Sequence, residues 1–150
     1  MPGRDSTHWL HRLTADEWMR AAMKELATAR ASIQRHSARP ALASLRRAAG
    51  MAWNAVLALD VEPDATFGRS YADHLRAIAD GATPASSSTP LPEPVRDAAR
   101  LLMDDPVAQR SDVVPILTPA RDTRLLDAAE TVAAEAYTRV LHRERALKQN

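Results

Sequence analysis

The sequence predicts an all-α fold, an up-and-down helical bundle with three long and two short helices. Three observations carry this. Aromatic residues make up only 4% of the chain while alanine is abundant, a composition that suits closely approaching helices rather than sheets. Three long stretches place apolar residues on one stripe at helical spacing. Seven of the ten prolines fall between Pro84 and Pro119, which confines irregular structure to the middle of the chain and leaves both ends free to form helices. At 150 residues, one domain with one hydrophobic core is expected. Its bounds read as an N-terminal tail over 1–13 and a bundle over 14–146.

The first long helix is expected to begin near Ala15. Thr14 caps the first amides, Glu17 completes a capping box, and Leu13 staples onto Trp18. Trp18, Ala22, Met23, Leu26, Ala29 and Ile33 form its stripe, which fades at Gln34-Arg35-His36-Ser37. Pro40 suits a first helical position, and Leu42, Leu45, Ala49, Ala52, Trp53 and Val56 mark a second helix ending near Leu59, antiparallel to the first. Gly50 costs about 1 kcal/mol of helix propensity relative to alanine, so close packing is its expected reason.

An acidic connection, Asp60-Val61-Glu62-Pro63-Asp64-Ala65, lacks the ligand repetition of a calcium loop. Ser70 and Asp73 then cap a short third helix carrying Leu75, Ile78 and Ala79, which Gly81 terminates. Residues 82–94 are mostly alanine, serine, threonine and proline and read as a flexible Pro/Ser-rich loop. Val95, Ala98, Ala99 and Leu102 mark a fourth, short helix. Val113-Val114-Pro115-Ile116-Leu117 is expected as an extended segment across the bundle. Thr118-Pro119 opens the last long helix, with Leu125, Ala129, Val132, Ala133, Ala136, Tyr137 and Val140 on its stripe and a basic end at Arg143 and Arg145. Glu135 and Arg139 are spaced to pair on its outer face.

Charge and composition exclude several function classes. With 20 basic and 19 acidic residues the net charge is +1, so no overall field draws the chain to nucleic acid or an anionic membrane. Cysteine is absent, which removes disulfides and thiolate metal sites. No apolar run has the length of a signal peptide or a membrane span, and the expectation is a cytoplasmic protein without membrane contact. Glycine-rich phosphate loops, nucleophile elbows and paired-histidine zinc motifs are missing. His8 and His11 stand three apart, a spacing some metal sites use, but no third ligand lies near. No metal and no cofactor is expected.

The densest polar chemistry is Gly68-Arg69-Ser70-Tyr71-Ala72-Asp73-His74-Leu75. Arg69 and His74 supply a cation and a titratable imidazole, with Ser70, Tyr71 and Asp73 as candidate binding groups between them. In an RNA-cleaving site His74 would act as general acid or base and Arg69 would stabilise the phosphorane. The structural alternative has Ser70 and Asp73 capping the helix while His74 and Arg69 hold the preceding loop. Arg46 and Arg47 are a second candidate, able to meet phosphate and equally readable as the wet side of an apolar helix. Trp18 and Trp53 lie on apolar stripes and are expected as core anchors rather than stacking platforms.

The order of elements resembles the HEPN superfamily: a long helix, a second helix rich in small residues ending in Ala55-Val56-Leu57-Ala58-Leu59, a loop, then Asp73-His74-Leu75 opening a short helix. In that family the loop is often followed by Thr-His-x-Leu. Here Ala72-Asp73 stands for the small or hydroxyl residue, and His74 and Leu75 fit. The resemblance runs from about residue 14 to residue 143.

Many HEPN proteins are metal-independent ribonucleases with an arginine, a polar residue and, after four to six intervening positions, a histidine, near the last helix and completed across a dimer. Arg69 and His74 meet the spacing but precede the third helix, while Thr138-Arg139-Val140-Leu141-His142 is too tight. The resemblance therefore implies a non-catalytic accessory module for protein interaction or nucleic-acid or nucleotide binding. A homodimer, a nucleotidyltransferase-like protein and RNA or nucleotide are its expected partners. The alternatives are a toxin-type ribonuclease using Arg69 and His74, and a helical scaffold without ligand.

Overall fold

Helix α1 (Ala15–Gln34) begins where its capping residues dictate. Thr14 Oγ1 accepts from the Glu17 amide and Glu17 Oε1 accepts from the Thr14 amide, each at 3.1 Å. Two amides otherwise lacking partners are thereby satisfied. The computed structural model describes residues 8–35, 38–60, 65–84, 89–103 and 119–149. After α1 come α2 (Ala38–Leu57), α3 (Tyr71–Ala79), α4 (Glu93–Met103) and α5 (Pro119–Lys148), with 3-10 turns at Trp9–Arg12 and Ala65–Phe67. Among the described residues there is no strand. The long helices α1, α2 and α5 and the short α3 and α4 form an up-and-down bundle, as the sequence predicts.

The α1–α2 hairpin is the most extensive helix pair; α5 packs on α2, and α4 bridges α3 and α5. Alanine makes this closeness feasible. Ala48, Ala49, Ala52 and Ala55 of α2 are all fully buried, around Trp53 at 0% exposure. At Gly50 the approach is closest: an added Cβ would stand 2.6 Å from Tyr71 Cβ, so α3 seats its first residue where α2 has no side chain. α3 ends in a paired turn, with the Gly81 amide donating to Ile78 O at 2.9 Å and the Ala82 amide to Ala77 O at 3.0 Å.

Three expectations are corrected. The segment read as tail is docked from Trp9 onward, because Leu10 is 2% exposed in the core and its carbonyl accepts from Trp18 Nε1 at 2.8 Å. Arg139 is not on an outer face. It is buried, and its guanidinium meets Glu135 Oε1 at 3.0 Å, Thr89 O at 2.9 Å and the Trp53 ring at 6.0 Å. A buried cation needs such partners, and the chain near Thr89 folds over to supply them. Third, α2 starts two residues before Pro40 and its regular part ends at Leu57.

Of the loop over 82–94, residues 85–88 lie outside the described residues, Pro84 and Leu91 are buried, and Glu93 already opens α4. The extended segment expected at Val113–Leu117, the Thr118 cap and residues 61–64 of the acidic connection also lie outside the described residues. Among the described residues no helix is long and apolar enough to cross a membrane.

Candidate functional site

The polar block at the start of α3 is first a helix cap. Ser70 Oγ accepts from the Asp73 amide at 3.0 Å, and Asp73 Oδ2 accepts from the Ser70 amide at 3.4 Å. These bonds hold the Asp73 carboxyl below its usual range, the Ser70 hydroxyl contributing most and Arg76, 3.4 Å away, least. Gly68 precedes them with φ +64°, a left-handed turn in which a Cβ would press on the Asp73 side chain. Ser70 and Asp73 are therefore committed to the backbone they belong to.

The turn carries His74 inward, to 0% exposure. Its Nδ1 lies 2.6 Å from Phe67 O and its Nε2 lies 2.5 Å from Asn54 Oδ1 on α2. A neutral imidazole has one N–H, so it cannot donate to both oxygens. The Asn54 Nδ2 is buried without a partner. Exchanging the two ends of that amide resolves both problems: Nδ1–H donates to Phe67 O, and Asn54 Nδ2–H donates to Nε2. Burial pushes the His74 pKa down, against smaller opposing effects of the Phe67 carbonyl and Asp73, which keeps the ring in this neutral form.

Two aromatic rings close over the imidazole. Trp9 stacks on it with centroids 6.3 Å apart and planes 22° from parallel, and Tyr71 meets it edge-on at 6.3 Å. Tyr71, seated on Gly50, has its own pKa raised, chiefly by burial and then by Glu25. Arg69 is exposed and lies over the Trp9 ring at 5.9 Å. The structure thus brings Tyr71 and His74 together, but Arg69 is in contact with Trp9 and does not supply a charge to either imidazole nitrogen.

Chemically, His74 has no free lone pair or proton to offer a substrate. One nitrogen donates to a carbonyl, the other accepts from an amide, and neither reaches solvent. The arrangement can do what a polar staple does: join the 3-10 turn Ala65–Phe67 and α3 to the last turn of α2. The contacts that the sequence did not reveal are Asn54, Phe67 and Trp9. Asn54 had a signal, a lone amide inside the apolar run Ala52-Trp53-Asn54-Ala55-Val56. Trp9 had none, since it precedes every helical pattern.

Arg46 and Arg47 part company. Arg46 Nε donates to Leu102 O at 2.7 Å and Nη2 to Met103 O at 3.3 Å, capping the C-terminal end of α4. Arg47 is exposed and pairs with Glu25 at 3.4 Å. Among the described residues, no group of three histidine or acidic side chains is placed to hold a metal ion.

A second feature has the opposite character. Between α1 and α5 a groove of about 400 Å³ is lined by Met19, Met23, Leu26, Ala133, Ala134 and Tyr137, with the Arg30–Glu130 ion pair at one end. Met23 is 52% and Tyr137 51% exposed. The two stand on opposite walls of the groove, Met23 on α1 and Tyr137 on α5. Comparison with known proteins adds no relative: no family model matches the chain, and neither a curated protein nor a solved structure matches it significantly.

Proposed function

We propose that the chain is a non-catalytic helical interaction module, HEPN-like in the order of its elements. The observation that carries this reading is the burial of His74, whose two nitrogens are both engaged by Phe67 and Asn54. A ribonuclease built on Arg69 and His74 needs an imidazole within hydrogen-bond reach of a ribose hydroxyl. Here Trp9 and Tyr71 occupy that approach. The apolar groove between α1 and α5 supports interaction over a scaffold without any partner. A cytoplasmic setting belongs to the same proposal, as does an accessory role beside a nucleotidyltransferase-like protein or RNA.

The test is incubation of the full chain with single-stranded RNA in chelator. No cleavage is expected, for the native chain or for Arg69→Ala. Cleavage that Arg69→Ala abolishes, with helicity unchanged, would establish the ribonuclease reading instead.

A further inference from the structure

Three of the five histidines in the chain meet in one place. The 3-10 turn Trp9–Arg12 is capped by His8 and carries His11, with the two imidazole centroids 5.7 Å apart, and its Trp9 ring lies 5.9 Å from His8 and 6.3 Å from His74. Side chains fasten this turn to the bundle. Leu10 fills a seat in the core, its carbonyl accepts from Trp18 Nε1, Trp9 covers the imidazole of His74, and His11 Nε2 donates to Asp60 O at 3.1 Å. A segment this short opens at far lower cost than the whole bundle unfolds.

Each of the three imidazoles is placed so that an added proton works against docking. His8 Nδ1 accepts from the Leu10 amide at 3.2 Å, a cap that exists only while this nitrogen carries no proton. His11 keeps its bond to Asp60 O when protonated, but imidazolium rings at His8 and His11 repel each other at close range. His74 Nε2 accepts from the Asn54 amide, and burial resists its protonation while Trp9 lies over it.

The charges on the neighbouring elements do little to absorb the added ones. On α1, Asp16 pairs with Arg20 at 3.1 Å and Glu17 is held in the capping box. On α3, Asp73 serves the Ser70 amide and Arg76, and Tyr71 stays neutral in the range where histidine titrates, with Glu25 and Arg47 beyond it. Asp60, after α2, brings one negative charge; Arg12 in the turn and Arg69 before α3 bring two positive ones. One cation against an indole is favourable, and Arg69, 5.9 Å from the Trp9 centroid, already supplies it. Further cations at His8 and His74 crowd the same ring.

We infer that the turn Trp9–Arg12 is an acid-released lid: proton uptake by His8, His11 and His74 frees it, uncovering the imidazole of His74 and the core seat of Leu10. The sign follows from linkage, since protons taken up more readily with the turn open than shut drive opening as the pH falls. The docked turn is the form above about pH 6.5, where imidazoles are ordinarily neutral, and opening sets in below that value.

Hydrogen exchange at the Trp18 indole N–H, followed by NMR on the full chain and corrected for the intrinsic rate, tests it. Between about pH 7.5 and about pH 5.5 its protection is expected to fall at least about tenfold, while the Trp53 amide in α2 stays protected and helicity is unchanged. His8→Asn combined with His11→Gln keeps a capping acceptor and a donor to Asp60 O but removes two titrating groups, and it cuts the fall to about twofold or less. Both side chains are half-buried, so the bundle retains its fold. Protection that does not change with pH, a parallel loss at Trp53, or a double variant that opens as readily as the native chain would each overturn the inference.

Discussion

Around His74 the chain gathers Arg69, Ser70, Tyr71, Asp73 and Asn54, and the side chains of Ser70, Asp73, His74 and Asn54 make their hydrogen bonds inside the molecule. Along the α1–α5 groove Met19, Met23, Leu26 and Tyr137 face each other with little polar chemistry, and the surface stays open. The first region attracts attention in the sequence, and the second is quiet there. Their difference shows that the density of polar side chains measures how many hydrogen bonds a segment can make, whereas availability depends on whether the fold has already made them. A cap, a buried imidazole and an aromatic lid consume what the sequence offers as a site.

If this contrast is right, substitutions in the sealed region act on stability and those in the open region act on association. The largest effect is expected for His74→Ala. It leaves a cavity beneath Trp9 and strands Asn54 and Phe67 O without partners, at a cost of about 3 kcal/mol in urea unfolding. A loss below about 1 kcal/mol would mean that the staple holds little.

The same ring sets a pH dependence. Burial lowers its pKa from 6.5, so the unfolded chain binds a proton that the folded chain refuses. Stability is therefore full above about 6.5, declines as the pH falls below that value, and levels off once the folded-state pKa is passed. Asp73 and Glu17, whose carboxyls are held low by their caps, add losses of their own only at more acidic pH, below their ordinary values of 3.8 and 4.5. His74→Ala is expected to flatten the upper part of this profile; an unchanged slope would place the titrating group elsewhere.

Gly50→Ala comes next. Its new methyl would overlap Tyr71 and push α3 off α2, which costs about 2 kcal/mol by thermal or urea unfolding. Ser70→Ala removes the acceptor for the Asp73 amide, a cost of about 1 kcal/mol, and lets the Asp73 pKa rise toward its ordinary value, which carboxyl titration by NMR would follow. The smallest effect on folding is expected in the groove: Met23→Ser changes stability by less than about 0.5 kcal/mol, because Met23 is half exposed. A large loss of stability there would show that the groove is part of the core and not a surface.

What was legible in the sequence follows the range of the interactions involved. The boxes at Thr14–Glu17 and Ser70–Asp73 span three residues and were readable in full, because a side chain that close to a free amide has almost no competing partner. Gly50 was readable as a close approach, although not the ring that approaches it. Arg139 was half readable: its pairing with Glu135 lies within one helical turn, but its burial depends on the carbonyls of Thr89 and Pro90, fifty and forty-nine residues away. Arg46 was misplaced for the same reason, since the end of α4 that it caps is far from it in the chain.

By itself the sequence determined the all-α class, the order of the helices among the described residues and the caps of α1 and α3, because apolar periodicity and capping are settled within a few residues. Only the tertiary structure decided that His74 is a staple, that Trp9 is its lid, and that the open face lies between α1 and α5. Those outcomes depend on which distant groups meet. Phe67, Asn54 and Trp9 reach the imidazole from three separate elements, and α1 and α5 are brought side by side by packing on α2, which both of them contact.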